Sequence, residues 1–327
     1  MKTYNWAILG CGRIARKFSN DLKLLPNARL YAAAARNYAN AEAFAGELGF
    51  EKAYGSYEEM LADPEVDVVY VATPHSHHHE HVMMCLRAGK AVLNEKAFAL
   101  TLREAREMVQ TARDKGIFLM EAFWTRFQPS FLKTLEILQS GELGSLKIVR
   151  SDFAFHAIKD PEKRLYNVSL GGGSLLDIGI YPVFAALSVL GVPKRIKALA
   201  TFAETGIEES IAMVFQYPGG ELASLYSSFA TNSFVTTEYN CEKGSIFLAR
   251  RWMAPTSVTV WHEGGREESF TFQEPGNGYQ YEAKHVMECL DAGKTESDMM
   301  PLDFTLKMME TLDRIRMETG IVFPGRR

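Results

Sequence analysis

Cysteine is scarce. The 327 residues contain four, Cys11, Cys85, Cys241 and Cys289, and no Cys-x-x-Cys pair. That scatter excludes a disulfide framework and a thiolate metal site. It reads as small packing thiols in a reducing compartment, which predicts a cytoplasmic protein. An excess of one charge is lacking too. Lys and Arg total 36 against 40 Asp and Glu, for a net charge of -4 with no basic block, so nothing offers a footprint for nucleic acid. No apolar run approaches the length of a membrane span, which excludes a membrane partner. The first strand begins within a few residues of Met1 and leaves no place for a signal-peptide core. Internal repeats and low-complexity linkers are missing as well. What remains is a globular composition, 47% hydrophobic and 23% charged, long enough for two domains with a core each.

The informative stretch comes early. A short apolar run, Trp6 to Leu9, leads into Gly10-Cys11-Gly12-Arg13-Ile14-Ala15, and a helix-period pattern follows through Phe18, Leu22 and Leu25. Strand, Gly-x-Gly-x-x-Ala turn and helix make a dinucleotide-binding unit. The first glycine reverses the chain, the second lets backbone approach a pyrophosphate, and the small third residue fits where helix meets strand. The helix N-terminus then offers N–H groups and a positive dipole end to phosphates, so Arg13, Ile14 and Ala15 join the glycines as cofactor-binding candidates.

Arg29 to Ala35 reads as the second strand and ends at Arg36. An NAD site usually carries an acid there for the ribose 2′-hydroxyl; a guanidinium instead suits a 2′-phosphate. The chain therefore leans to NADP, with NAD possible. Val66 to Ala72 is a buried parallel strand ending at Thr73-Pro74-His75-Ser76-His77-His78, and Ala91 to Asn94 is a strand ending at Glu95-Lys96-Ala97. Ile117 to Glu121 is one more. Ser56-x-x-Glu59 and Thr101-x-x-Glu104 are capping boxes for intervening helices. The alternation gives a doubly wound parallel sheet, in which ligands bind beyond the carboxyl ends of the strands. Arg36, Thr73, Pro74, His75, His78, Glu95 and Lys96 all fall at such ends. His77-His78-His79-Glu80-His81 contains H-x-x-E-H, a zinc pattern when it lies on a helix. At a strand-to-helix turn of a nucleotide-binding unit it reads as coincidence, and no metal is expected.

From Phe123 onward strand signals dominate: 147–155, 195–202, 210–217 and 221–229, then shorter runs near 236–240, 245–249, 258–262 and 268–272, with Pro218-Gly219-Gly220 as a hairpin turn. The predicted fold is α/β: a Rossmann domain over 1–122, then an α+β domain over 123–327 built on a large, mostly antiparallel sheet. Ile211, Met213, Phe215 and Tyr217 face one way, while Ala212 and Val214 keep the other face partly apolar. Both faces need cover, the second from the chain itself or from another subunit. Gly171-Gly172-Gly173 suggests close approach to a ligand. Asp177 and Tyr181, four apart at the start of a helix over 175–190, point the same way. Pro182 suggests a kink there.

Together, Gly10-x-Gly12-x-x-Ala15, Thr73-Pro74, Glu95-Lys96 and Gly171-Gly172-Gly173 with Asp177, Gly179 and Tyr181 resemble the glucose-fructose oxidoreductase, inositol dehydrogenase and MocA-like family over essentially the whole chain. Leu119 to Phe127, with tyrosine at 181, is similar to its dimeric dihydrodiol dehydrogenase and NADP-dependent xylose dehydrogenase branch. The family usually reads Glu-Lys-Pro; here Ala97 replaces the proline, which loosens the constraint after Lys96. The resemblance implies a catalytic Lys96, a tyrosine acid/base at 181, hydride transfer to or from a sugar, polyol or cyclic diol, and a homodimer through the C-terminal sheet. Lys96 would lower the tyrosine pKa from about 10. Asp177 would orient Lys96 or a substrate hydroxyl. Trp124, Arg126, Phe127 and Phe155 are candidates for the substrate pocket, with His156 and Tyr166 weaker ones. A non-catalytic dinucleotide sensor is the alternative, and the Lys96–Tyr181 pair argues against it.

Overall fold

The computed structural model describes residues 2–273 and 275–325. By contact the chain forms two compact units, Met1–Phe127 with Glu274–Leu306, and Gln128–Gln273 with Lys307–Arg327. A single cut after residue 122 would leave 274–306 with the second unit, whereas they group with the first.

The sheet of the first unit is built from β1 (Tyr4–Leu9), β2 (Ala28–Ala34), β3 (Lys52–Tyr54), β4 (Val68–Val71), β5 (Ala91–Glu95) and β6 (Leu119–Ala122). The order is β3-β2-β1-β4-β5-β6, and every pairing is parallel. The order reverses at β1, which places a ligand crevice beyond the carboxyl ends of β1, β2 and β4. β1 and β4 are buried almost throughout, with Ile8, Leu9, Val69 and Tyr70 fully buried, as a sheet covered on both faces requires. Both N-caps form: Ser56 Oγ accepts from Glu59 N at 3.1 Å and Thr101 Oγ1 from Glu104 N at 3.3 Å.

The return of 274–306 has a polar cause. Asp21, buried on the helix Arg13–Leu22, accepts the backbone N–H of Asn277 at 2.8 Å and of Tyr279 at 3.0 Å. Its carboxylate sits at the N-terminus of the helix Tyr279–Asp291, where orphan N–H groups and the dipole favour an anion. Sequence spacing gives no hint of a link between residues so far apart.

The second unit holds β7 (Leu146–Ala154), β8 (Arg195–Phe202), β9 (Glu208–Gln216), β10 (Leu222–Ser228), β11 (Thr237–Cys241), β12 (Gly244–Leu248), β13 (Ser257–His262) and β14 (Glu267–Thr271). They form one sheet in the order β14-β13-β12-β11-β7-β10-β9-β8, antiparallel except for β7 with β10. The helix Ile180–Leu190 packs on β7 and β10. Ile211, Met213 and Phe215 are buried, and Val214 on the opposite face is half exposed, as the alternation predicts. The stretch Val168–Leu190 corrects one expectation: at 23 residues it is long and apolar enough to cross a membrane, yet 78% of its most apolar part is buried inside the fold. It is the core helical segment of this unit. Within it, Leu175–Gly179 is a π-helical turn running straight into the α-helix, so the irregularity lies just before Tyr181 and Pro182.

Candidate active site

The glycine turn shows why each residue type is needed. Gly10 has φ +102°, and a Cβ there would meet Thr73 Cγ2 at 2.9 Å and Ala72 backbone at 3.2 Å. Gly12 is different: an added Cβ would find only Ala72 O, at 3.9 Å, so its face is open to a ligand. Gly12 caps the helix Arg13–Leu22 without a side-chain hydrogen bond, and no acid occupies the first turn. The helix start is therefore electropositive and available to phosphates. Ala15 is fully buried beneath it.

A cavity of about 720 Å³ opens at this turn. It is lined by Gly10, Cys11 and Gly12 after β1, by Ala35, Arg36 and Asn37 after β2, and by Thr73 and Pro74 after β4. No Asp or Glu is among its lining residues. Arg16, Asn40 and Tyr57 also line it; sequence spacing did not single them out. The donor set, the open Gly12 face and the guanidinium fit a dinucleotide and fit a 2′-phosphate at its adenosine end. Cys11 is a thiol whose pKa burial raises to about 11, so it acts as a small neutral wall.

His75 and His78 are both buried beside the turn. His78 has its two ring nitrogens within 2.8 Å of backbone oxygens, Nδ1 of Ala97 O and Nε2 of Thr73 O. It thus faces its own chain. Full burial draws its pKa down to about 4, against the pull of the two carbonyls. His81 Nδ1 lies 2.9 Å from Thr73 Oγ1 and His77 Nδ1 lies 2.9 Å from Ser76 Oγ. One nitrogen of each end histidine of H-x-x-E-H, Nδ1 of His77 and of His81, is thus engaged locally. Among the described residues a metal-type grouping occurs elsewhere, at His285, Cys289 and Asp298. There His285 Nε2 lies 2.7 Å from Ser297 Oγ and Asp298 pairs with Lys294 at 2.9 Å, so the chain itself meets those groups.

Lys96 follows β5 on a tightly held loop. The Lys96–Ala97 peptide bond is cis, and Ala97 and Phe98 are fully buried. Glu95 Oε2 accepts Lys96 N at 3.2 Å and Asn94 Nδ2 donates to Phe98 O at 2.8 Å. Tyr70 donates its hydroxyl to Glu95 Oε1. Glu121 is buried nearby, and desolvation pushes its pKa to about 7 while Thr305 and the Lys96 charge pull it down.

In the second unit Tyr181 is 6% exposed. Its ring is 5.7 Å from that of Phe153 and stands edge-on to Trp252 at 6.5 Å. Asp177 Oδ1 accepts from Arg164 Nη1 at 2.8 Å; Arg164 is the partner the sequence did not suggest. The glycines before Asp177 serve the chain rather than a ligand. A Cβ at Gly172 would strike three carbonyl oxygens at 2.7–2.8 Å, and one at Gly173, with φ +125°, would strike the Glu208 carboxylate at 2.3 Å. Glu208 is buried, accepts Leu175 N at 2.8 Å, and has its pKa pushed to about 7 by desolvation.

The aromatic candidates divide between the units. Trp124 is buried and stacks on Tyr279 at 4.5 Å; Phe127 is buried against His285 at 5.1 Å; Arg126 Nε donates to Met299 O at 2.9 Å. Phe155 belongs to the second unit, where it packs on Phe153 and Phe229. Tyr166 is core, with its hydroxyl 3.0 Å from Glu209, and His156 is exposed.

Comparison with known proteins follows this layout. Residues 4–123 match the profile described as "Oxidoreductase family, NAD-binding Rossmann fold", GFO_IDH_MocA, and residues 131–247 match the GFO/IDH/MocA C-terminal domain. The chain is 38% identical to trans-1,2-dihydrobenzene-1,2-diol dehydrogenase of Mus musculus and 37% identical to that of Homo sapiens, with 98% of each chain covered in both cases. Among solved structures, aldose-aldose oxidoreductase from Caulobacter crescentus, complexed with glycerol, superposes with a TM-score of 0.89 at 26% identity, again over 98% of each chain. A 3-ketoreductase from Actinomadura kijaniata shares the fold, with a TM-score of 0.88 at 24% identity over 97% of this chain and 98% of the other.

Proposed function

The chain belongs to the GFO/IDH/MocA oxidoreductase family, and on that footing we propose that it is an NADP-dependent dehydrogenase acting on a cyclic trans-diol or a sugar. One observation carries the cofactor choice: Arg36 lines the cavity at the glycine turn, and no acid is among the described residues of its lining. The substrate class rests on likeness to the dihydrodiol dehydrogenases and to the aldose-aldose oxidoreductase.

When bound, NADP supplies the acceptor or donor of the hydride. The chain moves the proton. In oxidation Tyr181 Oη takes the substrate hydroxyl proton as the carbon–oxygen bond becomes a carbonyl, and in reduction it returns that proton. A free phenol, with a pKa of about 10, is a poor base near neutrality. An ammonium stabilises the phenolate and lowers that value, which is the role proposed for Lys96. Asp177, paired with Arg164, fixes the π-helical turn that precedes Tyr181.

We also propose that the protein is a homodimer. The sheet face opposite the helix Ile180–Leu190 leaves Ile148, Leu199, Val214, Tyr226, Phe247 and Trp261 exposed, from 39% at Phe247 to 82% at Leu199. The register puts Val214, Arg150 and Phe247 in one row and Ile148 and Trp261 in the next. An apolar face of this extent suits a second copy of the same sheet.

The test of the catalytic reading is kinetic. With NADP and a trans-dihydrodiol or aldose, Tyr181→Phe is expected to lower kcat by about 10²–10⁴, and Lys96→Ala by at least as much. The double variant should be little worse than the poorer single one, because the two act as a unit. Near wild-type turnover in Tyr181→Phe overturns the assignment.

A further inference from the structure

We infer that His78 is the positioning residue for Lys96, tying the loop that carries the lysine to the loop that flanks the glycine turn. This deepens the proposed reading and rests on it for the role of Lys96. It moves His78 away from direct cofactor contact. The imidazole is fully buried and bridges two backbone oxygens at 2.8 Å, Thr73 O at the end of β4 and Ala97 O just past Lys96. Both flanking groups are acceptors, so each ring nitrogen is placed to donate; the ring, neutral near pH 7 because burial draws its pKa down to about 4, donates its one N–H to one of them at a time.

The other polar groups of the lysine loop are also tied from within the unit. Asn94 holds Phe98 O and Glu95 holds Lys96 N, both from β5 itself. His78 alone of these three comes from a different element, the helix His78–Arg87 that follows β4. Its partner Thr73 in turn touches the position of Gly10, where an added Cβ would meet the Thr73 methyl at 2.9 Å. One ring therefore sets the lysine loop against the turn that faces the cavity. Removing it leaves the carbonyl that accepted the ring N–H to find another donor and opens a void between the two loops, which a buried loop meets by shifting.

The direct test is hydrogen exchange on the protein without cofactor. In His78→Ala the amides of 96–98 are expected to exchange at least tenfold faster, with β1 and the helix Arg13–Leu22 unchanged. His78→Gln, which keeps a side-chain N–H donor, should restore most of the protection. Unchanged exchange at 96–98 overturns the inference. The wild-type chain gives a second readout that needs no variant to fold: the His78 ring N–H should be protected in ¹⁵N-resolved spectra, and a ring N–H exchanging at the rate of free imidazole overturns the tie.

Kinetics then connects the tie to the reaction. His78→Ala should lower kcat by about 10–100-fold, the effect of a small misplacement, with NADP(H) affinity held within about threefold. The alkaline rise of the oxidation rate should move up toward the ordinary tyrosine value of about 10, and a merely structural residue would not move it. If Lys96→Ala is impaired and His78→Ala is not, the positioning role fails alone. If Lys96→Ala is unimpaired, the proton-transfer reading fails, while the exchange data still decide the tie.

Discussion

Replacing Arg36 by aspartate should reverse or erase the preference for NADP(H) over NAD(H). Arg36 is exposed and lines the 720 Å³ cavity together with Asn37 and the glycine turn. A charge-assisted hydrogen bond contributes roughly 1.5–3 kcal/mol. Solvent screens an exposed arginine, so about 1–2 kcal/mol is the reasonable share here, equivalent to roughly 5–30-fold in Kd. Aspartate removes this and adds repulsion against the 2′-phosphate, so the loss for NADPH should exceed that for Arg36→Ala. Arg16 lines the same cavity but is held by Glu47 at 3.0 Å, which leaves Arg36 as the dominant discriminator. The assay is fluorescence titration of NADPH and NADH against wild type, Arg36→Ala and Arg36→Asp. It should be run at two salt concentrations, because screening should narrow the wild-type preference. Equal affinity of the wild type for both cofactors at low salt, or an unchanged ratio in Arg36→Asp, would refute the argument.

Glu208 gives a pH prediction. Its folded-state pKa of about 7 lies above the 4.5 of an ordinary glutamate because burial disfavours the anion. Its contribution is therefore full below about pH 4.5 and is lost as pH rises through 7. Glu208→Gln keeps an acceptor for Leu175 N and cannot ionise, so its stability relative to wild type should rise across that window by up to about 3 kcal/mol, measured by urea melts; a difference that stays flat between pH 5 and 8 counts against it. Gly173→Ala should destabilise by more than about 3 kcal/mol, since it adds a backbone strain to a clash with the same carboxylate; a melt within 1 °C of wild type would show that the loop gives way. For assembly, light scattering should find a dimer, with an interface above about 2,000 Å². Trp261→Glu should shift it to monomer, and a wild-type monomer at micromolar concentration would remove the dimer reading.

Much of this was legible because it is local. A parallel strand buried on both faces reads as an apolar run, and a turn that must reverse and admit phosphate reads as two glycines and an alanine; β1, β4 and the Gly10–Ala15 turn were plain for that reason. Arg36 was legible by its distance from the turn. β3 was not, because three residues carry no period. The pairings around Asp177 and Tyr181 join residues by folding alone. Arg164 reaches Asp177 through a loop, and Trp252 meets Tyr181 from a turn far along the chain. Gly172 and Gly173 illustrate the same limit: glycine signals close approach, and only the fold says that the approaching groups are the carbonyls of 164, 165 and 167 and the Glu208 carboxylate.

The cap that Asp21 gives to the helix Tyr279–Asp291 sets an order of events on the ribosome. The carboxylate is made among the first two dozen residues, and the N–H groups it serves leave the exit tunnel only after the whole of 128–273 has been synthesised. At about 5–20 residues per second the 256 residues from Asp21 to Asn277 take roughly 13–50 seconds. Through that interval the nucleotide-binding unit lacks its last helices, and the helix Arg13–Leu22 presents an anion with no partner where burial will later require one. The stretch 128–273 can close its large sheet within that time. The unit encoded first thus waits on the synthesis of 128–273 for its closing helix, and a chain released before residue 279 would leave the Asp21 carboxylate without those N–H partners.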